Sequence, residues 1–104
     1  MNEKKFLQML GLCRRAAGVI IGTPLVTKAL PSGKVMIVFY SDAASENTKK
    51  RINDKCAYYN VKIVKIDTPP DKIGHMLGKT GDVCVIGVTD ERFSKQLEIL
   101  AEEN

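Results

Sequence analysis

Val35-Met-Ile-Val-Phe-Tyr-Ser-Asp-Ala-Ala-Ser-Glu-Asn-Thr-Lys-Lys-Arg-Ile-Asn-Asp-Lys-Cys-Ala-Tyr-Tyr-Asn-Val61 decides the fold of this chain. Its head, Val35–Tyr40, is a continuous apolar run, the pattern of a strand covered on both faces. A polar turn follows. Ser45 is placed to cap a helix, and Glu46 falls in the first turn, where the helix dipole favours an acid. Ile52, Cys56 and Tyr59 recur at helical spacing and mark a buried stripe. Asn47, Lys50, Arg51, Asp54 and Lys55 fall opposite them, with Lys49 alongside. Val61–Ile66 is a second strand, alternating at Val61, Ile63 and Ile66 around Lys62 and Lys65. The unit reads strand, turn, helix, strand. A basic-faced helix beside a parallel sheet suits a module that holds a polyanion.

Towards the N-terminus, the spacing of Phe6, Leu7, Leu10 and Cys13 predicts a helix from Lys4 to about Ala17, ended by Gly18. Val19–Ile21 is long enough for a short strand. Gly22-Thr23-Pro24 opens a second helix, with Thr23 as its cap and Pro24 at the first helical position. Leu25, Val26, Ala29 and Leu30 form its apolar side, and Pro31-Ser32-Gly33 stops it. Towards the C-terminus, Asp67-Thr68-Pro69-Pro70 starts a short helix carrying Ile73, Met76 and Leu77. Gly78-Lys79-Thr80-Gly81 is a tight loop into Val83–Val88, another buried strand. Thr89-Asp90 caps a last helix whose buried stripe is Phe93, Leu97 and Leu100. This alternation gives an α/β fold, a three-layer α/β/α sandwich around a small mixed or parallel four-stranded sheet. With no repeat or linker in view, residues 1–104 are expected to form a single domain.

Hydrophobic residues at 44% and charged ones at 27% place the chain among ordinary globular proteins. No apolar run approaches the roughly 18–20 residues of a membrane helix, and no signal-peptide block opens the sequence, so a cytoplasmic location is expected. The net charge of +4 conceals an asymmetry. Glu98, Glu102 and Glu103 are three of the 12 acids, so residues 1–97 hold all 16 Lys and Arg against 9 Asp and Glu, a net +7. Such a body favours phosphate-rich partners.

Enzymatic chemistry is hard to place. Gly78-Lys79-Thr80 has the end of a P-loop without the upstream glycine, and it precedes a strand where a P-loop precedes a helix. His75 is the single imidazole, and Cys13, Cys56 and Cys84 are an odd number with no CxxC pair. That excludes the usual metal spacings and leaves Cys56 and Cys84 as reduced core residues. No metal, no cofactor and no catalytic group are expected. Two glycine-bearing turns remain. Gly22–Lys28 starts a helix whose free amides can meet a phosphate, with Lys28 about one turn along; taken alone, the same residues favour a plain capped helix. Leu77–Gly81 is either a helix C-cap or a slim loop that a nucleic-acid backbone or base can approach.

Taken in order, several segments resemble the L-seven-Ae ribosomal protein family: Gly22-Thr23-x-x-Val26-Thr27-Lys28, Lys34 before Val35–Tyr40, Ser41-Asp42-Ala43-Ala44, Cys56 followed by Tyr59-Asn60-Val61, and Leu77-Gly78-Lys79. Asp42–Lys50 and Val88-Thr89-Asp90 are most like its small bacterial YlxQ-like branch. The resemblance covers roughly residues 5–100. It implies an α/β/α sandwich that binds structured RNA, often kink-turns. Carried over, it nominates Gly22, Thr23, Lys28, Lys34, Leu77, Gly78, Lys79 and Thr80 as RNA contacts. Arg14 and Arg15 add charge from the first helix, unless they are an ordinary solvated face. Where kink-turn binders carry Asn-Glu, this chain has Pro24-Leu25. Pro24 has no amide hydrogen and Leu25 no acceptor, so polar readers worth about 1–3 kcal/mol per good bidentate contact are missing.

The expectation is therefore a ribosome- or translation-associated RNA-binding protein. Its partner is ribosomal RNA or a kink-turn-like element, with ribosomal or translation proteins as further partners and no membrane. The alternative is a protein-interaction module on the same fold, with Leu25 exposed in an apolar patch. An apolar surface around Pro24 and Leu25 would favour the second, and a positive rim with open glycine loops the first.

Overall fold

The computed structural model describes residues 1–103. Five α-helices and four strands alternate: α1 Glu3–Arg15, β1 Val19–Ile21, α2 Thr23–Ala29, β2 Ile37–Ser41, α3 Glu46–Tyr58, β3 Lys62–Ile66, α4 Pro70–Met76, β4 Val85–Val88 and α5 Glu91–Glu102. A short 3-10 turn, Leu30–Ser32, closes α2.

Caps fix the helix starts. Asn2, Ser45 and Asp90 accept from the amides of Lys5, Thr48 and Arg92. Three helices end with one device, a residue in the left-handed region one step past the cap. Ala17 (φ 61°) serves α1, Asn60 (φ 57°) serves α3 and Gly78 (φ 72°) serves α4. In each case the next amide reaches back to a carbonyl of the last turn: Gly18 to Cys13, Val61 to Cys56, Lys79 to Gly74. The left-handed residue of α1 is therefore Ala17 and not Gly18. Gly18 is required for another reason, because a Cβ there would stand 2.9 Å from both the Asp90 Cβ and the Cys13 Sγ.

The sheet order is β1-β4-β2-β3. β2 and β3 pair in parallel, as the β2–α3–β3 crossover requires. β4 enters antiparallel between β1 and β2, pairing Ile20 with Gly87 and Phe39 with Ile86. The sheet is mixed because α4, seven residues long, turns the chain back instead of crossing the sheet. β1, β2 and β3 thus finish at one edge, here the upper edge, where β4 begins.

Helices cover both faces, as the sequence indicates. Phe6 and Leu10 of α1, Ile73 of α4 with its cap Leu77, and Leu97 of α5 pack on Ile37, Phe39, Ile86 and Val88. Phe6 meets Phe39 edge-on at 5.1 Å. On the other face, Val26 and Leu30, with Ile52 and Cys56 of α3, pack on Val35, Val38 and Val85.

Five apolar expectations shift. Tyr59 is at the helix cap and exposed instead of extending the α3 stripe, and Leu25 is 59% exposed on α2. Phe93 and Leu100 are only partly buried. Cys56 is fully buried, whereas Cys84 is half-buried just before β4. Among the described residues no helix is long and apolar enough to cross a membrane, and no group of three His, Cys, Asp or Glu could hold a metal.

Candidate nucleic-acid interface

The upper edge gathers three helix starts (α2, α3 and α4) and the loop that leads from α4 into β4. Ligands of open α/β sheets bind outside the carboxyl ends of the strands, so this edge is where topology favours a site.

Gly22 makes the β1–α2 turn with φ 96° and ψ 149° and donates its amide to the Val85 carbonyl at 2.9 Å. Gly22, not Thr23, is the N-cap, and no side chain caps α2. Its first turn offers the Thr23 and Leu25 amides, since Pro24 has none and the Val26 amide is already donated to Gly22. The Thr27 hydroxyl is likewise engaged, donating to the Thr23 carbonyl at 2.7 Å.

The loop Gly78–Asp82 is strung between two buried anchors, Leu77 (0% exposed) and Val83 (6%). The Lys79 amide donates to Gly74 and the Val83 amide to Pro70, so both ends are tied to α4. At Gly74 no Cβ fits, because the Gly81 carbonyl lies against its Cα. Lys79, Thr80, Gly81 and Asp82 form the exposed rim. Leu77, nominated for RNA contact, has its side chain in the core with Phe6 and Leu10 and holds the loop from beneath. Gly74 carries no motif in the sequence; only its position against the loop reveals it.

The two segments meet. A groove of about 450 Å³ runs between Gly22-Thr23-Pro24 and Lys79–Val83, floored by Ile21 and Cys84. Burial, and after it the Asp82 carboxylate, push the Cys84 thiol above its ordinary range, so the floor is neutral at physiological pH. Beside this groove a second depression joins Thr23, Pro24, Thr27 and Lys28 of α2 to Thr48 and Arg51 of α3.

Charge sorts the basic residues of α3. Lys49 bridges Asp42 and Glu46 at 3.3 Å each, and the Asp42 hydrogen bond leads in raising its ammonium above the ordinary range. Lys50 pairs with Asp54 at 3.0 Å. Lys28, Arg51 and Lys79 make no ion pair among the described residues. The basic helix is thus partly neutralised, and Arg51 is the cation it contributes next to Lys28.

The remaining nominated residues lie elsewhere. Arg14 and Arg15 end α1, and Lys34 precedes β2; the strand pairing puts both at the lower edge, where Val88 faces Val19 and Ile37. A five-residue strand separates the edges by about 16 Å. Gly22, Thr23, Lys28, Gly78, Lys79 and Thr80 are brought together at the upper edge; Arg14, Arg15 and Lys34 are not.

Residues 4–98 match the model of the Ribosomal protein L7Ae/L30e/S12e/Gadd45 family. The chain belongs to this family. RNA-binding protein YlxQ of Bacillus subtilis (strain 168) is 35% identical over 97 residues, spanning 93% of this chain and 95% of the relative. YlxQ of Enterococcus faecium is 36% identical over 101 residues, spanning 97% and 95%. Large ribosomal subunit protein eL30 of Sulfolobus acidocaldarius is 33% identical over 88 residues, or 85% of each chain. These names denote binding proteins and a ribosomal component, and none an enzyme, in line with the non-enzymatic reading of this L7Ae-family chain.

Solved structures agree on the fold. A protein of unknown function from Bacillus halodurans superposes with a TM-score of 0.87 at 36% identity, covering 95% of this chain and 98% of that one. The Giardia lamblia 15.5kD RNA binding protein gives 0.76 at 13% identity, covering 95% and 83%, and shares the fold.

Proposed function

We propose that this L7Ae-family chain binds structured RNA across its upper edge. The observation that carries the reading is the convergence of the α2 start and the Lys79–Val83 loop on one groove, flanked by three cations without ion pairs among the described residues. Ile21, Pro24, Val83 and Cys84 give the groove an apolar side, with Thr23, Thr80, Lys79 and the acid Asp82 around it, so it suits an unstacked base with polar edges better than a bare phosphate. Phosphates belong at its rim, on Lys79, and beside it, on Lys28 and Arg51, which position the backbone without reading sequence. The family name, the YlxQ relatives and eL30 support RNA as the ligand, and eL30 supports ribosomal RNA in a cytoplasmic, translation-linked setting.

Pro24 and Leu25 bear on which RNA. Both are exposed at the α2 start, where neither offers a polar group to a sheared purine pair. Recognition therefore rests on shape, loop contacts and charge, and kink-turn selectivity is expected to be weak. Leu25 at 59% exposure also supports a second reading, in which a ribosomal or translation protein covers this helix start.

Binding to three labelled RNAs at physiological salt tests the proposal: a kink-turn, a duplex of equal length and a ribosomal RNA fragment pool. Binding to the pool above the duplex supports the reading. Binding to none, with a protein captured through Leu25 instead, replaces it by the second.

A further inference from the structure

The α2–α3 depression does not end at Arg51. A shallow trough continues past Asn47, Lys50 and Arg51 to Asp54, and a third hollow joins Asp54 to Lys55, Tyr58 and Tyr59. Adjacent hollows share Arg51 and then Asp54, so one track follows the exposed face of α3 from the upper edge to the lower. Along it Arg51, Lys55 and Tyr59 stand four residues apart, a step of about 6 Å along the helix axis. Arg51 and Lys55 make no ion pair among the described residues, while Lys50 and Asp54 neutralise each other. At the far end Tyr58 is 80% exposed and meets Tyr59 edge-on at 4.8 Å. An aromatic ring this exposed contributes little to the core; its free face is available for stacking.

The geometry points to a second nucleic-acid subsite: α3 carries a single-stranded RNA segment, its phosphates on Arg51 and Lys55 and one unstacked base on Tyr58. The inference rests on the RNA-binding reading and extends it about 10 Å along α3, from Arg51 to Tyr58. Alternating cations and aromatic faces hold single strands with little regard to sequence, because every base has a π-face. The RNA that fits is a structured element with an unpaired extension leaving the groove on the α3 side.

The chain has three tyrosines and no tryptophan, so tyrosine fluorescence reports stacking directly. The test uses the full chain with three probes: a ribosomal RNA fragment that binds at the upper edge, the same fragment with a six-nucleotide adenosine tail, and the adenosine hexamer alone. The tail is expected to tighten binding about tenfold and to quench tyrosine emission. Tyr58→Ala and Lys55→Ala should remove that gain, and Tyr58→Phe should keep it. The tailless fragment should bind Tyr58→Ala as it binds the wild type. The hexamer alone should quench weakly and lose all quenching in Tyr58→Ala. If the tailless fragment binds and the tail adds nothing, the α3 subsite is wrong and the upper-edge reading survives. If no fragment binds but the hexamer still quenches through Tyr58, the subsite stands and the upper edge is wrong.

Discussion

The Gly81 carbonyl rests against Gly74, leaving no room for a Cβ on the fifth residue of α4. Helix propensity alone would reward Gly74→Ala by about 1 kcal/mol. Packing opposes it, since the new methyl must push the Lys79–Asp82 loop off the helix. We expect a net loss of about 1–3 kcal/mol and weaker RNA binding from the displaced loop. Urea denaturation together with RNA titration checks this; a stabilised variant with unchanged binding would show that the loop does not depend on Gly74.

Ala17 and Gly78 occupy the same left-handed position at the ends of α1 and α4. An L-residue there costs about 1–2 kcal/mol relative to glycine, part of which glycine returns as unfolded-state entropy. Ala17→Gly should therefore stabilise the fold by up to about 1 kcal/mol, and Gly78→Ala should destabilise it by a similar amount. Thermal denaturation of the two variants should move in opposite directions.

Lys28, Arg51 and Lys79 border the proposed RNA face, whereas Arg14, Arg15 and Lys34 stand at the other edge of the sheet. Replacing any of the first three by Ala should weaken RNA binding at all sequences and lower the slope of log affinity against log salt by about 1. Lys34→Ala and Arg14→Ala should leave the slope unchanged. The reverse pattern would transfer the site to the lower edge.

Burial raises the Cys13 thiol from its ordinary 9.0 to about 11, with Asp90 adding a smaller push, and burial alone raises Cys56 to about 11. In the unfolded chain these thiols ionise near 9.0, so above that pH the unfolded state gains charge that the folded state resists. Stability should hold below pH 9 and fall as pH rises from 9 towards 11. Lys49, Lys62 and Lys72 are held above 10.5 by hydrogen bonds to Asp42, Glu98 and Glu3, so their loss begins only at higher pH. Urea midpoints from pH 7 to 11 in wild type and Cys56→Ala separate the two: the variant should decline less between 9 and 10.5. In the folded chain, half-buried Cys84 should alkylate before Cys13 and Cys56.

Periodicity and caps made the elements legible. Phe6-Leu7-Leu10-Cys13 marks the buried side of α1, and Ser45 and Asp90 cap α3 and α5 where their spacing from the apolar stripes requires. These are local effects, set by residues within one or two turns of each other. Exposure of single apolar residues was less legible: Leu25 and Leu77 look alike in sequence, yet one faces solvent and the other lies under the loop.

The sequence by itself determined the order of helices and strands, the basic character of the chain and its family likeness, because each is written in short-range pattern and composition. Tertiary structure alone decided which of the nominated residues lie together. β4 runs antiparallel, so the loop before it opens beside Gly22 while Lys34, Arg14 and Arg15 are carried to the opposite edge. Likewise only the fold commits Lys49 to Asp42 and leaves Lys28, Arg51 and Lys79 without ion pairs among the described residues. Strand direction and charge pairing depend on contacts between residues far apart in the chain. Nearest-neighbour pattern carries no record of them.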